Sequence, residues 1–66
     1  MIDKAKEYVL ETIKLNGGKV NINVVVLAFA MSEFLGMINL PRLLGLMMTS
    51  KIVKYDDISG LVSLAS

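Results

Sequence analysis

Residues 33–48 read EFLGMINLPRLLGLMM, and this stretch decides the fold. We interpret it as the end of one helix, a tight turn and the start of a second helix. Gly36 supplies the positive φ with which helices commonly close. Asn39 is a good N-cap because its side-chain oxygen can accept from an orphan backbone N–H, and Pro41 falls in the first turn, where a missing N–H costs nothing. Two helices joined by three or four residues that include glycine form a helix-turn-helix pattern.

The helix before this turn is predicted from Val24 to about Phe34, with Asn23 as its N-cap. The run Val24-Val25-Val26 would also suit a strand, but residues 27–34 continue without a break and largely tolerate a helix. At 100° per residue, one face carries Val24, Leu27, Ala28, Met31, Phe34 and Leu35. A helix that is apolar all round cannot be covered by so short a chain, so we expect its other residues to meet a second subunit. The candidate interface residues are Val25, Val26, Phe29 and Ala30; scattered exposed apolar residues are the alternative.

The helix after the turn is predicted over residues 40–50. Its inner face would carry Leu40, Leu43, Leu44 and Met47, and its outer face Arg42, Gly45 and Thr49. Upstream, an amphipathic helix is predicted over residues 3–15, because Ile2, Ala5, Val9 and Ile13 form one apolar stripe. Asp3 is its expected N-cap, and Asn16-Gly17-Gly18 ends it.

Two segments are predicted to be extended. Residues 19–22 alternate polar and apolar after a double glycine, as a short half-buried strand does. Residues 52–55 and 61–65 are β-prone and flank Asp56-Asp57-Ile58-Ser59-Gly60, which has the length and composition of a hairpin turn. The predicted fold class is therefore α+β, mainly α with a small β-hairpin, in a single domain covering residues 1–66.

The composition limits the classes of function. The chain has 66 residues, 55% of them hydrophobic, a net charge of +1, and neither Cys nor His, and its mean hydropathy is +0.64. The lack of Cys and His removes the usual zinc and iron–sulfur ligands and fits a reducing, cytoplasmic setting. The longest uncharged run, Val20 to Ser32, has 13 residues, short of the ~20 that a bilayer span needs. We expect no metal, no cofactor, no small-molecule substrate and no membrane span, but we expect a homodimer or another protein partner.

The order helix, strand, helix, glycine turn, helix and hairpin resembles that of the winged helix-turn-helix superfamily. The most specific segments are Phe34-Leu35-Gly36-Met37, Asn39-Leu40-Pro41-Arg42-Leu43-Leu44 and Ser50-Lys51-Ile52-Val53-Lys54-Tyr55. The resemblance implies that residues 40–50 form the recognition helix, which usually enters the DNA major groove, and that residues 56–60 form the wing tip. The chain departs from the family in having few cations on that helix and two aspartates at the tip.

Two functions therefore stay open. As a DNA-binding regulator, the chain would pair Arg42 with guanine, approach the groove at Gly45, contact a base edge or phosphate with Thr49, and neutralise phosphates with Lys19, Lys51 and Lys54. The alternative for these lysines is ordinary solubilising charge. As a protein-interaction module of a larger assembly, the chain would use the same surfaces without DNA, which suits its near-neutral charge. An enzyme is not expected, because Asp56-Asp57 lies in a predicted turn and the glycines match no phosphate loop.

Overall fold

A computed structural model describes residues 1–65; the last residue of the predicted domain, Ser66, lies outside them. Three helices and three strands follow one another along this part of the chain. Their order and bounds are α1 (Ile2–Leu15), β1 (Lys19–Asn21), α2 (Ile22–Ala30), α3 (Leu40–Thr49), β2 (Val53–Asp56) and β3 (Leu61–Leu64). The predicted α+β class is confirmed.

Helix α1 packs through the predicted apolar stripe. Ala5, Val9 and Ile13 are buried, whereas Ile2 at the helix start is exposed. The expectation of an Asp3 cap is wrong, because the helix begins at Ile2 and its N-cap is Met1, without a side-chain bond. Its end is as predicted: the Gly18 N–H donates to the Ile13 carbonyl at 2.9 Å, and Gly18 has a φ of 90° that favours glycine.

Helix α2 begins two residues earlier than the predicted start and also ends early. Its N-cap is Asn21 rather than Asn23, and the Asn21 side chain accepts from the Asn23 N–H at 2.8 Å. At the other end, the Ser32 hydroxyl donates to the Phe29 carbonyl at 2.6 Å and accepts from the Phe34 N–H at 3.1 Å. Such a side chain offers the backbone an alternative to the next helical bond, and α2 ends at Ala30.

The connection between α2 and α3 is therefore longer than predicted. It takes nine residues, 31–39, instead of a turn of three or four. Gly36 has the expected positive φ, 83°. Phe34 holds this segment to the core, because its ring stacks on Phe29 at a centroid distance of 6.0 Å and lies 6.0 Å from the ring of Tyr8.

The buried face of α2 differs from the predicted one. Val25 and Phe29 are 1% and 3% exposed, so they belong to the core and not to an outer surface. Leu27 and Met31, expected inside, are 64% and 83% exposed. The prediction assigned Phe34 to the inner face by extending the 100° helical step to it. Phe34 lies beyond the end of α2, so that step does not set the direction of its side chain. The prediction that Val25 and Phe29 lie at an interface is wrong, because packing against the rest of the chain places both side chains in the core.

Helix α3 forms as predicted. The Asn39 side chain accepts from the Arg42 N–H at 2.9 Å, and Pro41 lies in the first turn. Leu43 and Met47 are buried, with Leu40 and Leu44 partly buried beside them. The helix ends at Thr49, one residue before the expected end.

The N-cap of α3 gives a testable prediction. Asn39→Ala should lower the free energy of unfolding by ~1 kcal/mol, because it removes the acceptor for the Arg42 N–H. Asn39→Asp keeps an acceptor and should cost less. Urea unfolding of the two variants measures the difference, and equal values would contradict the cap's role.

The strands form one antiparallel sheet in the order β1-β3-β2. The predicted hairpin is β2 and β3, and the predicted short strand, β1, pairs with β3 on its other side. Val20, Val53 and Val62 are buried on the face that covers the helices. Because side chains alternate along a strand, the neighbouring Lys19, Lys54 and Ser63 lie on the opposite, outer face.

Candidate interaction surface

The outward side of α3 carries one row of residues, Arg42, Gly45 and Thr49, which we call the α3 row. Its two ends are exposed, as predicted, and Gly45 is partly exposed. Apart from the adjoining residues and the backbone of the helix itself, no atom lies within 4 Å of where a Cβ on Gly45 would stand, so the backbone there is open to an approaching molecule. The Thr49 hydroxyl donates to the Gly45 carbonyl at 2.9 Å. The α3 row therefore offers one cation, one bare stretch of backbone and one hydroxyl that already has a partner.

The three lysines predicted to contact DNA lie in two other places. Lys19 and Lys54 are the register partners of Ser63 on either side of it, so they form a short cluster on the outer face of the sheet. Lys51 lies in the turn between α3 and β2 and has a positive φ of 61°. The fold thus distributes the six predicted contacts over the α3 row, a turn and the far side of the sheet.

The hairpin tip, residues 56–60, is an ordered and acidic turn. The Asp56 carboxylate accepts from the Ile58 N–H at 3.0 Å. This bond, together with the Ser59 hydroxyl and the charge of Lys19, holds the pKa of Asp56 below its usual value. Its contribution to the turn is therefore present above about pH 4 and is lost as the pH falls through the lowered pKa. The turn presents Ile58, which is 94% exposed.

The exposed side of α2 is apolar. We call Val26, Leu27, Ala30 and Met31 the α2 surface, and all four are exposed. Val26 and Ala30 are four residues apart, as are Leu27 and Met31, so each pair lies on one side of the helix. No charged residue occurs from Val20 to Ser32. Large exposed apolar patches on small proteins mark interaction sites. Of the four predicted interface residues, Val26 and Ala30 are on this surface, whereas Val25 and Phe29 lie in the core.

Beside the α2 surface, an open groove of about 280 Å³ runs between α2, α3 and the sheet. It is lined by Ile22, Val26, Leu40, Pro41, Leu44, Met48, Val53, Tyr55 and Val62. The Tyr55 hydroxyl is the only polar side-chain group in this lining. Small-molecule sites usually add several convergent polar groups to an apolar pocket, so the groove has the chemistry of a protein contact.

Two sequence features bear on these surfaces, a serine at the end of α2 and a segment around α3 that contains no acidic residue. Ser32 is placed to end the helix before Phe34, so the helical 100° step does not extend to Phe34. In addition, residues 34–55 contain Arg42, Lys51 and Lys54 but no Asp or Glu. The segment that forms α3 and most of β2 is therefore a locally cationic part of a nearly neutral chain.

The chain was compared with family models, with characterised proteins and with solved structures, and none of the three comparisons found a match. Within residues 1–65, none of the helices is both long enough and apolar enough to cross a bilayer.

Proposed function

We propose that this chain is a winged helix-turn-helix domain that acts as a protein-interaction module and pairs with a second copy of itself. The order of elements, with a helix-strand-helix-helix core followed by a hairpin, supports the assignment to that superfamily. The exposed, uncharged α2 surface carries the functional proposal. Its apolar side chains are the part of the molecule that gains most from being removed from water.

The size of the molecule sets what such a pairing requires. A stable interface buries about 800 Å² on each partner, which is about a fifth of the 4422 Å² that the chain exposes. Leu27 and Met31 would lie at its centre, and Val26 and Ala30 would extend it towards the groove. A second copy matches this surface because neither side brings a charge that must be desolvated.

Sedimentation velocity on the unmutated chain tests this proposal. We expect the sedimentation coefficient to rise with concentration towards that of a dimer, which has twice the 7.2 kDa mass of the chain. A chain that stays monomeric from low micromolar to the highest soluble concentration would contradict the proposal.

DNA binding is the second candidate, and the acid-free segment 34–55 favours it. Arg42 on the α3 row and Lys51 at the end of that helix are both exposed. A dimer would present two of each and could neutralise about four phosphates, which corresponds to a salt slope of about −3.6. The two aspartates of the hairpin tip and the separate position of Lys19 and Lys54 make this the weaker candidate.

Fluorescence anisotropy with a random duplex across a salt series tests DNA binding. A random duplex offers Arg42 no fixed guanine, so Arg42 would contact phosphate there, and Arg42→Ala should reduce the salt slope by about two per dimer. Lys14→Ala, an exposed lysine on α1, is the matched control and should leave the slope unchanged. No anisotropy change at the lowest salt, or equal slopes for both variants, would remove DNA from consideration.

A further inference from the structure

Strand β2 lies at one side of the sheet, because the strand order is β1-β3-β2. Along an antiparallel pair, the residues whose main-chain groups face the neighbouring strand alternate with residues whose groups face away. The Ala65 N–H donates to the Ile52 carbonyl at 3.0 Å, so the main-chain groups of Lys54, two residues later, also face β3. The N–H and C=O groups of Val53 and Tyr55 therefore point away from the sheet. We call this outward side of the strand the β2 edge.

The β2 edge is unpaired and accessible. Within residues 1–65, the outward N–H and C=O groups of Val53 and Tyr55 have no hydrogen-bond partner. The side chains of Lys54, Tyr55 and Asp56 are all exposed, so a second strand has room to approach. A row of unpaired main-chain donors and acceptors fits another extended backbone, which is why edge strands pair with further chains.

The charges on β2 determine which strand fits beside it. Lys54 and Asp56 are two residues apart, so both side chains lie on the outer face of the sheet, away from the helices. A lysine on an edge strand usually prevents two copies from pairing, because like charges meet. A second copy of β2 that runs antiparallel, with Tyr55 opposite Tyr55, avoids this because it places each Lys54 opposite an Asp56. The strand is therefore complementary in charge to itself.

The same register also matches the main-chain groups. With Tyr55 opposite Tyr55, each Tyr55 N–H can donate to the Tyr55 carbonyl of the other copy, because both groups point outward from the β2 edge. Lys54 and Asp56 then occupy the non-hydrogen-bonded positions, where opposed Cβ atoms are ~5 Å apart. A twofold axis at Lys54 would instead oppose two lysines, and one at Asp56 would oppose two aspartates. Of the registers centred on residues 53–56, the one at Tyr55 alone pairs opposite charges.

The other side of the sheet lacks these properties. Strand β1 has three residues, Lys19–Asn21, and a single charge, so an antiparallel copy of it would place no acid opposite Lys19. It also continues directly into α2, which begins at Ile22. The Leu64 N–H donates to the Gly18 carbonyl at 3.1 Å, so the Lys19 N–H points away from β3, as the Tyr55 N–H does on the other side. The Lys19 N–H is therefore a matched control.

We infer that the β2 edge pairs with the β2 edge of a second copy of this chain, through the Tyr55 main chain and two Lys54–Asp56 ion pairs, so that the two sheets become continuous. This contact goes beyond the proposed function, because it does not use the α2 surface and does not depend on it. Its exposed ion pairs are screened by salt, so the edge contact is favoured at low salt. With both contacts present, two dimers formed through α2 can join at low salt and high concentration.

Amide hydrogen exchange of the full chain, followed by NMR, gives the first test. The Tyr55 N–H faces water in the monomer and is hydrogen-bonded in the edge pair, so pairing should slow its exchange. At low salt we expect its exchange rate to fall about fivefold or more between the lowest and the highest soluble concentration. The Lys19 N–H, the control on β1, should show no such change. A Tyr55 exchange rate that does not depend on concentration would overturn the inference.

Charge variants give a sharper test. Lys54→Glu opposes two acids in each pair and should raise the dissociation constant of the edge pair about tenfold or more. Lys19→Glu makes the same change on the same face of the sheet but on β1, and should leave the Tyr55 protection unchanged. Asp56→Asn keeps an acceptor for the Ile58 N–H. Mixed with Lys54→Glu, it restores one ion pair, so the mixture should be better protected than either variant alone. Circular dichroism checks that each variant folds.

Leu27→Glu separates this inference from the proposed function. It changes the α2 surface only, so the Tyr55 protection should persist in that variant, whereas Lys54→Glu should remove the protection and leave pairing through α2 intact. Protection that persists in Lys54→Glu, or that is lost in Leu27→Glu, would overturn the edge contact and leave the α2 proposal standing. Protection that responds as expected in a chain whose remaining self-association is unaffected by Leu27→Glu would support the edge contact and contradict the α2 proposal.

Discussion

Phe29→Ala is expected to unfold most of the protein at 25 °C. Phe29 is 3% exposed and packs against the rings of Tyr8 and Phe34, with centroid distances of 6.5 and 6.0 Å. Removing a buried phenylalanine costs about 3–5 kcal/mol. A core of this size supplies at most about 3–5 kcal/mol of stability, so the loss of this one ring removes all of it or more.

Thermal unfolding followed by circular dichroism measures this effect. Leu46→Ala is the matched control, since Leu46 is an exposed apolar residue on α3. Its unfolding free energy should stay within about 0.5 kcal/mol of the unmutated value. If Phe29→Ala were as stable as Leu46→Ala, the face of α2 that we describe as buried would be the wrong one.

Leu27→Glu should have the largest effect on self-association while leaving the fold intact. Leu27 is 64% exposed, so a glutamate there is solvated in the monomer. In the dimer the carboxylate would lie in an apolar interface without a partner. At about 2 kcal/mol for each of the two copies, the dissociation constant rises ~1000-fold.

The measurement for Leu27→Glu is sedimentation equilibrium beside the unmutated chain. Leu46→Glu adds the same charge to an exposed leucine on α3 and should leave the dimer unchanged. A Leu27→Glu chain that dimerises as well as Leu46→Glu would show that the α2 surface is not the interface.

Three features with local signals were predictable from the sequence: the start of α3, the end of α1 and the hairpin turn. Asn39 and Pro41 mark the start of α3 through one side-chain bond and one missing N–H, and neither depends on distant residues. The same holds for the glycines after α1 and for the hairpin turn. These features need only the chemistry of adjacent residues, and the structure has them where the sequence indicated.

The buried face of α2 was not predictable in the same way. Every residue from Val24 to Met31 is apolar, so the sequence contains no polar side to mark the direction of solvent. The choice of Val25 and Phe29 for the core is made by tertiary packing, since Tyr8 on α1 and Phe34 in the following segment complete the aromatic cluster. One hydroxyl, that of Ser32, ends the helix early enough to allow this.

The grouping of the candidate site residues also depends on long-range pairing. Lys19 and Lys54 are far apart in the sequence and become neighbours only through Ser63 in the central strand. Arg42 and Thr49, by contrast, share a helical face that the 100° step gives directly. The α3 row was therefore predictable, whereas the position of the lysines relative to it was not.

The proposed pairing of two chains through α2 is tested most directly by isotope-filtered NOE measurements on a mixture of ¹³C-labelled and unlabelled protein. We predict intermolecular NOEs to the methyl groups of Val26, Leu27 and Met31. No intermolecular NOE at concentrations where the chain is fully soluble, or NOEs confined to the outward side of α3, would contradict the account.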